Sequence, residues 1–140
     1  MLKRRIGLQG LVIAAVATSF LFACQTAGRR VPKGDWHIET GRARVVDDTG
    51  SRRTRIEAIE DAQRDAWLKI LRHVEAMPAF DDNLVGDHMV QNPVTGARVR
   101  ALILSSRRFA TRYRDNDTVE VDMGVNLDEV QRTVREGSRP

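Results

Sequence analysis

The chain contains one cysteine, four prolines, one tyrosine and two tryptophans, and each scarcity removes a class of protein. A lone thiol closes no intramolecular disulfide and supplies no cysteine-only zinc site. Aromatic residues make up 5% of the sequence, too few to build the stacking platforms that single-stranded nucleic acid needs. The three histidines, His37, His73 and His88, stand in separate segments with no close ligand partner, and no His-Glu-x-x-His or calcium-loop spacing occurs. Ser105-Ser106 lacks the glycines of a nucleophile elbow, and no glycine-rich phosphate loop is present. Two acidic groupings remain. The spacing of Asp81, Asp82, Asp87 and His88 is not that of a ligand set, and turn chemistry accounts for Asp115, Asp117 and Glu120. The expectation is a protein that is not an enzyme and holds no metal or cofactor. A site assembled from dispersed residues is the route to catalysis that a motif search does not close.

What is present begins with a charged and apolar amino terminus. Lys3, Arg4 and Arg5 precede an apolar stretch at residues 11–23, and residues 6–28 carry no charge. A basic start followed by a short apolar core is the pattern of an export signal. Thirteen residues fall short of the ~20 that a spanning helix requires. Leu21-Phe22-Ala23-Cys24 then resembles the bacterial lipoprotein lipobox: an aliphatic residue, a tolerant position, a small residue and cysteine. The thiol is needed for a thioether to diacylglycerol, and a small preceding side chain admits a peptidase. The only cysteine stands where that chemistry needs it. An uncleaved inner-membrane anchor, an ordinary secretory signal cut elsewhere and a buried core helix are the competing readings.

Residues 1–23 are therefore read as a lipoprotein signal peptide and residues 24–34 as a lipidated amino terminus and tether. Residues 35–136 are read as a single small α+β domain. Membrane attachment is through lipid on Cys24, since several acyl chains anchor stably where one does not. Gln25 replaces the Asp that favours inner-membrane retention in enteric-type sorting. The expected location is thus the periplasmic face of the outer membrane, with the inner membrane as the alternative.

Charge changes with this processing. The chain has 23 Lys and Arg against 19 Asp and Glu, a net charge of +4, and a pI near 10.0. Removing Lys3, Arg4 and Arg5 leaves twenty basic side chains against nineteen acidic, a net charge of +1. A nucleic-acid partner loses its main support.

The domain itself is 41% hydrophobic and 30% charged over the whole chain, a globular composition. Residues 35–46 alternate as a strand, with a bend or bulge at Gly41, and residues 47–50 form a turn. Thr54 and Glu57 make a capping box for an amphipathic helix carrying Ile59, Ala62, Ala66 and Ile70, flanked by Ile56, Trp67, Leu71 and Val74. Ala58, Ala62 and Ala66 form a small-residue stripe, and Pro78 bounds the end. Leu84, Val85, Met89 and Val90 predict a short helix closed by Asn92-Pro93. Residues 98–104 and 109–113 read as strand segments. Val119, Val121, Met123, Val125 and Leu127 alternate strictly with polar residues or glycine, the clearest strand, after a hairpin loop at residues 115–117. That loop pairs Tyr113 with Val119, Arg112 with Glu120 and Phe109 with Met123, and places Arg108 and Arg112 beside Asp122. Arg107, Arg108, Arg112 and Arg114 then form a solvated, partly paired face. Asp128 is placed as the cap of a closing helix with Val130 and Val134.

Three segments carry a further resemblance. They are Ile38-Glu39-Thr40-Gly41-Arg42-Ala43, the alanine-rich run at residues 58–66, and the run at residues 113–122 followed by Val125 and Leu127. With the lipobox, they resemble the LPP-twenty lipoproteins and the related amino-terminal domain of flagellar assembly protein T. The chain has Asn116-Asp117 where that family commonly has glycine. The resemblance implies a helix packed on a small antiparallel sheet. It also implies a non-catalytic envelope role with a protein partner, in some relatives around the flagellar basal body. A binding module for an anionic wall or envelope ligand is the second reading, and a small periplasmic hydrolase the third.

Overall fold

The computed structural model describes residues 31–46, 49–115 and 117–139. Cys24, Leu21, Phe22 and Ala23, with the whole signal segment, lie outside the described residues, as do Asp47, Asp48 and Asn116. The fold is α+β: β1 (Trp36–Arg44), α1 (Arg55–Glu75), α2 (Val85–Gln91), α3 (Pro93–Leu104), β2 (Arg107–Arg114), β3 (Thr118–Asn126) and α4 (Leu127–Gly137). The three strands form one antiparallel sheet in the order β1-β3-β2.

α1 is the longest element, at 21 residues, and begins as its sequence dictates. The Thr54 hydroxyl accepts from Glu57 N at 3.2 Å, and the Glu57 carboxylate accepts from Thr54 N at 2.8 Å. The helix buries Ala58, Ala62, Ala66, Ile70 and Val74, a straight i, i+4 stripe, against the sheet. Ile56 and Ile59 stand to the side of it; Ile56 is exposed. At the sheet the stripe meets Gly41. A Cβ there would overlap Ala62 O and lie 2.6 Å from Ala66 N.

That contact corrects the expected bulge. β1 pairs with β3 without a break from Trp36↔Asn126 to Arg44↔Thr118, so Gly41 is a close-approach position and not an irregularity. Parity follows from the unbroken register. Gly41 faces α1, so His37, Glu39 and Ala43 share its side, and Trp36, Ile38, Thr40 and Arg42 lie on the other. α1 also closes the free edge of β1: Asp65 Oδ2 accepts from Arg42 N at 2.9 Å, and Lys69 Nζ donates to Thr40 O at 2.9 Å. An edge occupied by side chains in this way offers fewer free groups to a passing strand.

Residues 98–104 are helical and not a strand. α3 starts at Pro93, with Asn92 Oδ1 accepting from Val94 N and Thr95 N at 3.1 and 3.2 Å. Asn92-Pro93 therefore both closes α2 and opens α3, because proline at the first helical position gives up only an N–H that has no partner there. The buried residues Thr95, Gly96, Val99 and Ile103 recur at three and four, the helical period.

In the hairpin, Arg114↔Thr118, Tyr113↔Val119 and Arg112↔Glu120 pair as the sequence predicts. Phe109↔Met123 does not form. The register shifts between Arg108 and Ala110, and Arg108 takes the place opposite Met123. The cap of α4 is Asn126, whose side chain accepts from Asp128 N at 2.9 Å, two residues before the expected Asp128. β3 correspondingly ends at Asn126, and Leu127 opens the helix. α2 and α3 pack against α1, and α4 packs on α3 and α2. Val85, Met89, Val99, Ile103, Val130 and Val134 join Ile70, Val74 and the inward valines of β3 in one core.

Candidate functional site

The sheet face opposite α1 carries the densest polar chemistry among the described residues. β3 is the central strand, and its polar residues are buried: Asp122 is 0% exposed and Glu120 7%. A central strand cannot leave two carboxylates without partners, since desolvating a charge is costly. Its neighbours supply them. Arg112 grips Asp122 through both terminal nitrogens, Nη1 to Oδ2 at 2.7 Å and Nη2 to Oδ1 at 2.8 Å. Thr40 Oγ1 donates to the same carboxylate at 2.7 Å from the opposite strand. Glu120 accepts from Arg42 Nε at 3.0 Å and from Arg114 Nε at 3.2 Å, with Arg112 Nε at 3.5 Å. Three guanidiniums from both outer strands thus meet two carboxylates of the middle strand. Arg112 fills the role expected of it beside Asp122, and the described bonds to Asp122 do not include Arg108.

The electrostatics decide what this lattice can do. Burial pushes the Glu120 carboxyl up, and the hydrogen bond and charge of Arg114 with the charge of Arg42 outweigh it, leaving the group below its ordinary range. The bidentate bond to Asp122 holds the Arg112 guanidinium further above its ordinary value, against the opposing effect of burial. Glu120 is thus an ionised acceptor at neutral pH and not a proton donor. Glu120 therefore positions charge in the lattice.

Beside it lies an apolar half-face. Trp36 and Phe109 meet edge to face with centroids 5.5 Å apart. Phe109 and Ile38 close over Gly124, where a Cβ would lie 3.0 Å from Ile38 Cγ1 and 3.2 Å from Phe109 Cδ2. Trp36 Nε1 is buried without a hydrogen-bond partner among the described residues. The Arg107 guanidinium covers the Phe109 ring at 5.6 Å.

The remaining candidates are placed as follows. His37 and His73 are not separate: their rings stack at 3.5 Å between β1 and α1, and His37 Nε2 lies 2.9 Å from Glu39 Oε1. Sequence distance hid this pair, which only the packing of α1 on β1 brings together. His88 Nε2 pairs with Asp81 Oδ1 at 2.8 Å, and Asp87 accepts from Leu84 N at the start of α2. Among the described residues no group of three or more histidines, cysteines or acids is arranged to hold a metal ion. Ser106 Oγ accepts from Trp67 Nε1 at 3.1 Å, and Ser105 Oγ donates to Leu102 O. No described helix is long and apolar enough to cross a membrane.

No protein-family model, curated protein or solved structure matches the chain.

Proposed function

We propose that this chain is a lipid-anchored bacterial envelope protein with a non-catalytic structural or interaction role, held at the periplasmic face of the outer membrane. The observation that carries the reading is Leu21-Phe22-Ala23-Cys24, with the chain's only cysteine at the modified position after a basic and apolar leader. Membrane contact is through lipid on Cys24, and the functional contact is with an envelope protein, in the manner of the flagellar and LPP-twenty proteins that the sequence resembles. The geometry around the sheet supports an interaction role. The outer face couples a rigid, charge-paired lattice to an apolar half-face around Trp36, Ile38 and Phe109, a combination of anchor and rim that suits a partner surface.

Growth of the producing cells with labelled palmitate tests the anchor. Incorporation into the wild-type chain and its loss in Cys24→Ala are expected; labelling that persists in Cys24→Ala overturns the assignment. Crosslinking in intact cells from positions beside Trp36 and Phe109 tests the interaction role. A discrete envelope protein adduct is expected, and absence of any adduct at these positions counts against it.

A further inference from the structure

A second feature lies at the other end of the sheet, where β1 runs out towards the hairpin tip. Val45 N donates to Asp117 O at 2.7 Å, and Arg53 N donates to Val45 O at 2.8 Å. Val46 and Arg52 bridge as an isolated antiparallel pair. These bonds stitch the segment before α1 onto the strand and hold open a cleft of about 390 Å³, lined by Val45, Arg52, Arg53, Arg55 and Tyr113. Among the described residues no carboxylate lines it.

Arg53 is committed to Asp61. Arg52 and Arg55 have no carboxylate partner among the described residues, and the Arg55 guanidinium lies 5.3 Å from the centroid of the half-exposed Tyr113 ring. Of the described acids in the first two turns of α1, Glu57 closes the capping box and Asp61 also takes Arg64. The cations stand where local stability would not put them. Arg52, Arg53 and Arg55 flank Thr54, the cap at the positive end of the α1 dipole, where acids are favoured. Asp61 offsets Arg53 and the Tyr113 ring offsets Arg55, while Arg52 has no such contact among the described residues.

From this arrangement we infer that the cleft binds an anionic sugar unit, a pyranose carrying a phosphate or carboxylate, as a glycan chain or glycolipid headgroup presents it. Guanidinium forks match the oxygens of either group. Val45 and the Tyr113 ring supply an apolar wall for the C–H face of a sugar, and the volume falls within the ~300–1,000 Å³ of small-ligand sites. The inference goes beyond the protein contact proposed above, since it adds a ligand at a separate cleft. It does not depend on the anchor, because loss of palmitate labelling would leave binding in this cleft unaffected.

The test is calorimetric titration of the full-length chain in non-ionic detergent with glucose 6-phosphate, glucuronate, glucose and inorganic phosphate. Glucose 6-phosphate and glucuronate are expected to bind. Glucose is expected not to bind, and inorganic phosphate to bind more weakly than the sugar phosphate. Arg52→Gln and Arg55→Gln each weaken sugar-phosphate binding by about tenfold or more, the loss of one charge-assisted pair. Arg100→Gln, on exposed α3, leaves it unchanged, and Tyr113→Ala weakens the sugar phosphate while sparing inorganic phosphate. Any of three results overturns the inference: no binding of either anionic sugar, equal binding in the Arg52 and Arg55 variants, or inorganic phosphate binding as tightly as glucose 6-phosphate. Capture on phosphatidylglycerol vesicles without sugar-phosphate binding would assign the arginines to a lipid surface and overturn it too.

Discussion

Gly41→Ala is the sharpest perturbation of the fold, because the obstruction it meets is backbone. The added methyl would overlap Ala62 O, lie 2.6 Å from Ala66 N and lie 2.9 Å from the Ala62 carbonyl carbon. No rotamer change relieves those contacts, so α1 must lift from β1. A gap of ~0.5–1 Å forfeits a quarter to a half of each dispersion well along the buried stripe of Ala58, Ala62, Ala66 and Ile70. Overpacking of this kind costs ~1–3 kcal/mol, and alanine in place of glycine returns ~0.4–1 kcal/mol through the unfolded chain. The lift also pulls Asp65 and Lys69 from the edge of β1, so the net destabilisation falls at about 2–3 kcal/mol. A domain of this size then loses about 10–20 °C in melting temperature. Urea unfolding followed by far-ultraviolet circular dichroism measures it on the full-length chain in detergent. Gly50→Ala is the control: nothing lies within 4 Å, so only its positive φ of 79° is strained, at about 1–2 kcal/mol. Because the clash is with main-chain atoms, Ala62→Gly does not rescue Gly41→Ala. A Gly41→Ala protein within about 0.5 kcal/mol of wild type, or one rescued by Ala62→Gly, would refute the close-approach reading.

Three further outcomes follow from the charge lattice and the helix caps. Arg112→Ala leaves a fully buried Asp122 without its bidentate partner and costs about 3 kcal/mol in urea unfolding; adding Asp122→Ala recovers part of that loss, and a strictly additive pair would contradict the coupling. Glu120 is lowered from a model-compound value of 4.5, so its contribution is fully present above that value and is lost as pH falls through the lower folded-state value. Glu120→Gln is therefore expected to flatten stability against pH below about 4.5, and an unchanged acid limb in a pH-dependent melt would count against the pairing. Asn92→Ala removes the cap of α3 and the bond from its Nδ2 to Gly137 O at 2.9 Å, and is expected to lower stability by about 1–2 kcal/mol in thermal melts, with Asn92→Asp keeping most of the cap.

The elements legible in the sequence are those whose signal is local. The capping box and alanine stripe of α1 and the alternation of β3 each depend on residues within one or two turns or pleats, and the structure has them in place. The hairpin tip was legible for the same reason, since loop length sets the first three pairs. α3 was not, because residues 98–104 are rich in β-branched and arginine side chains whose short runs suit either period. Asn92-Pro93 carried the missing signal, as a cap followed by an N1 proline rather than a terminator. The stacked His37 and His73 join two elements distant in sequence, the cleft of Arg52, Arg55 and Tyr113 joins the segment before α1, α1 and β2, and neither has a local signature.

The two misread irregularities share one consequence. A strand has a period of two, so one bulge moves every later side chain to the opposite face. β1 lacks the bulge expected at Gly41, which keeps Trp36, Ile38, Thr40 and Arg42 on a single face. β2 has a bulge that was not expected, between Arg108 and Ala110, and this releases Phe109 from the place opposite Met123 to meet Trp36 over Gly124. A polar alternation in a central strand is ordinarily read as a solvent face. Here Glu120 and Asp122 are among the most buried side chains, because Arg42, Arg112 and Arg114 from the outer strands close over them. Three cations against two anions leave this lattice one positive charge in excess. An anionic ligand or partner is favoured there over a cationic one.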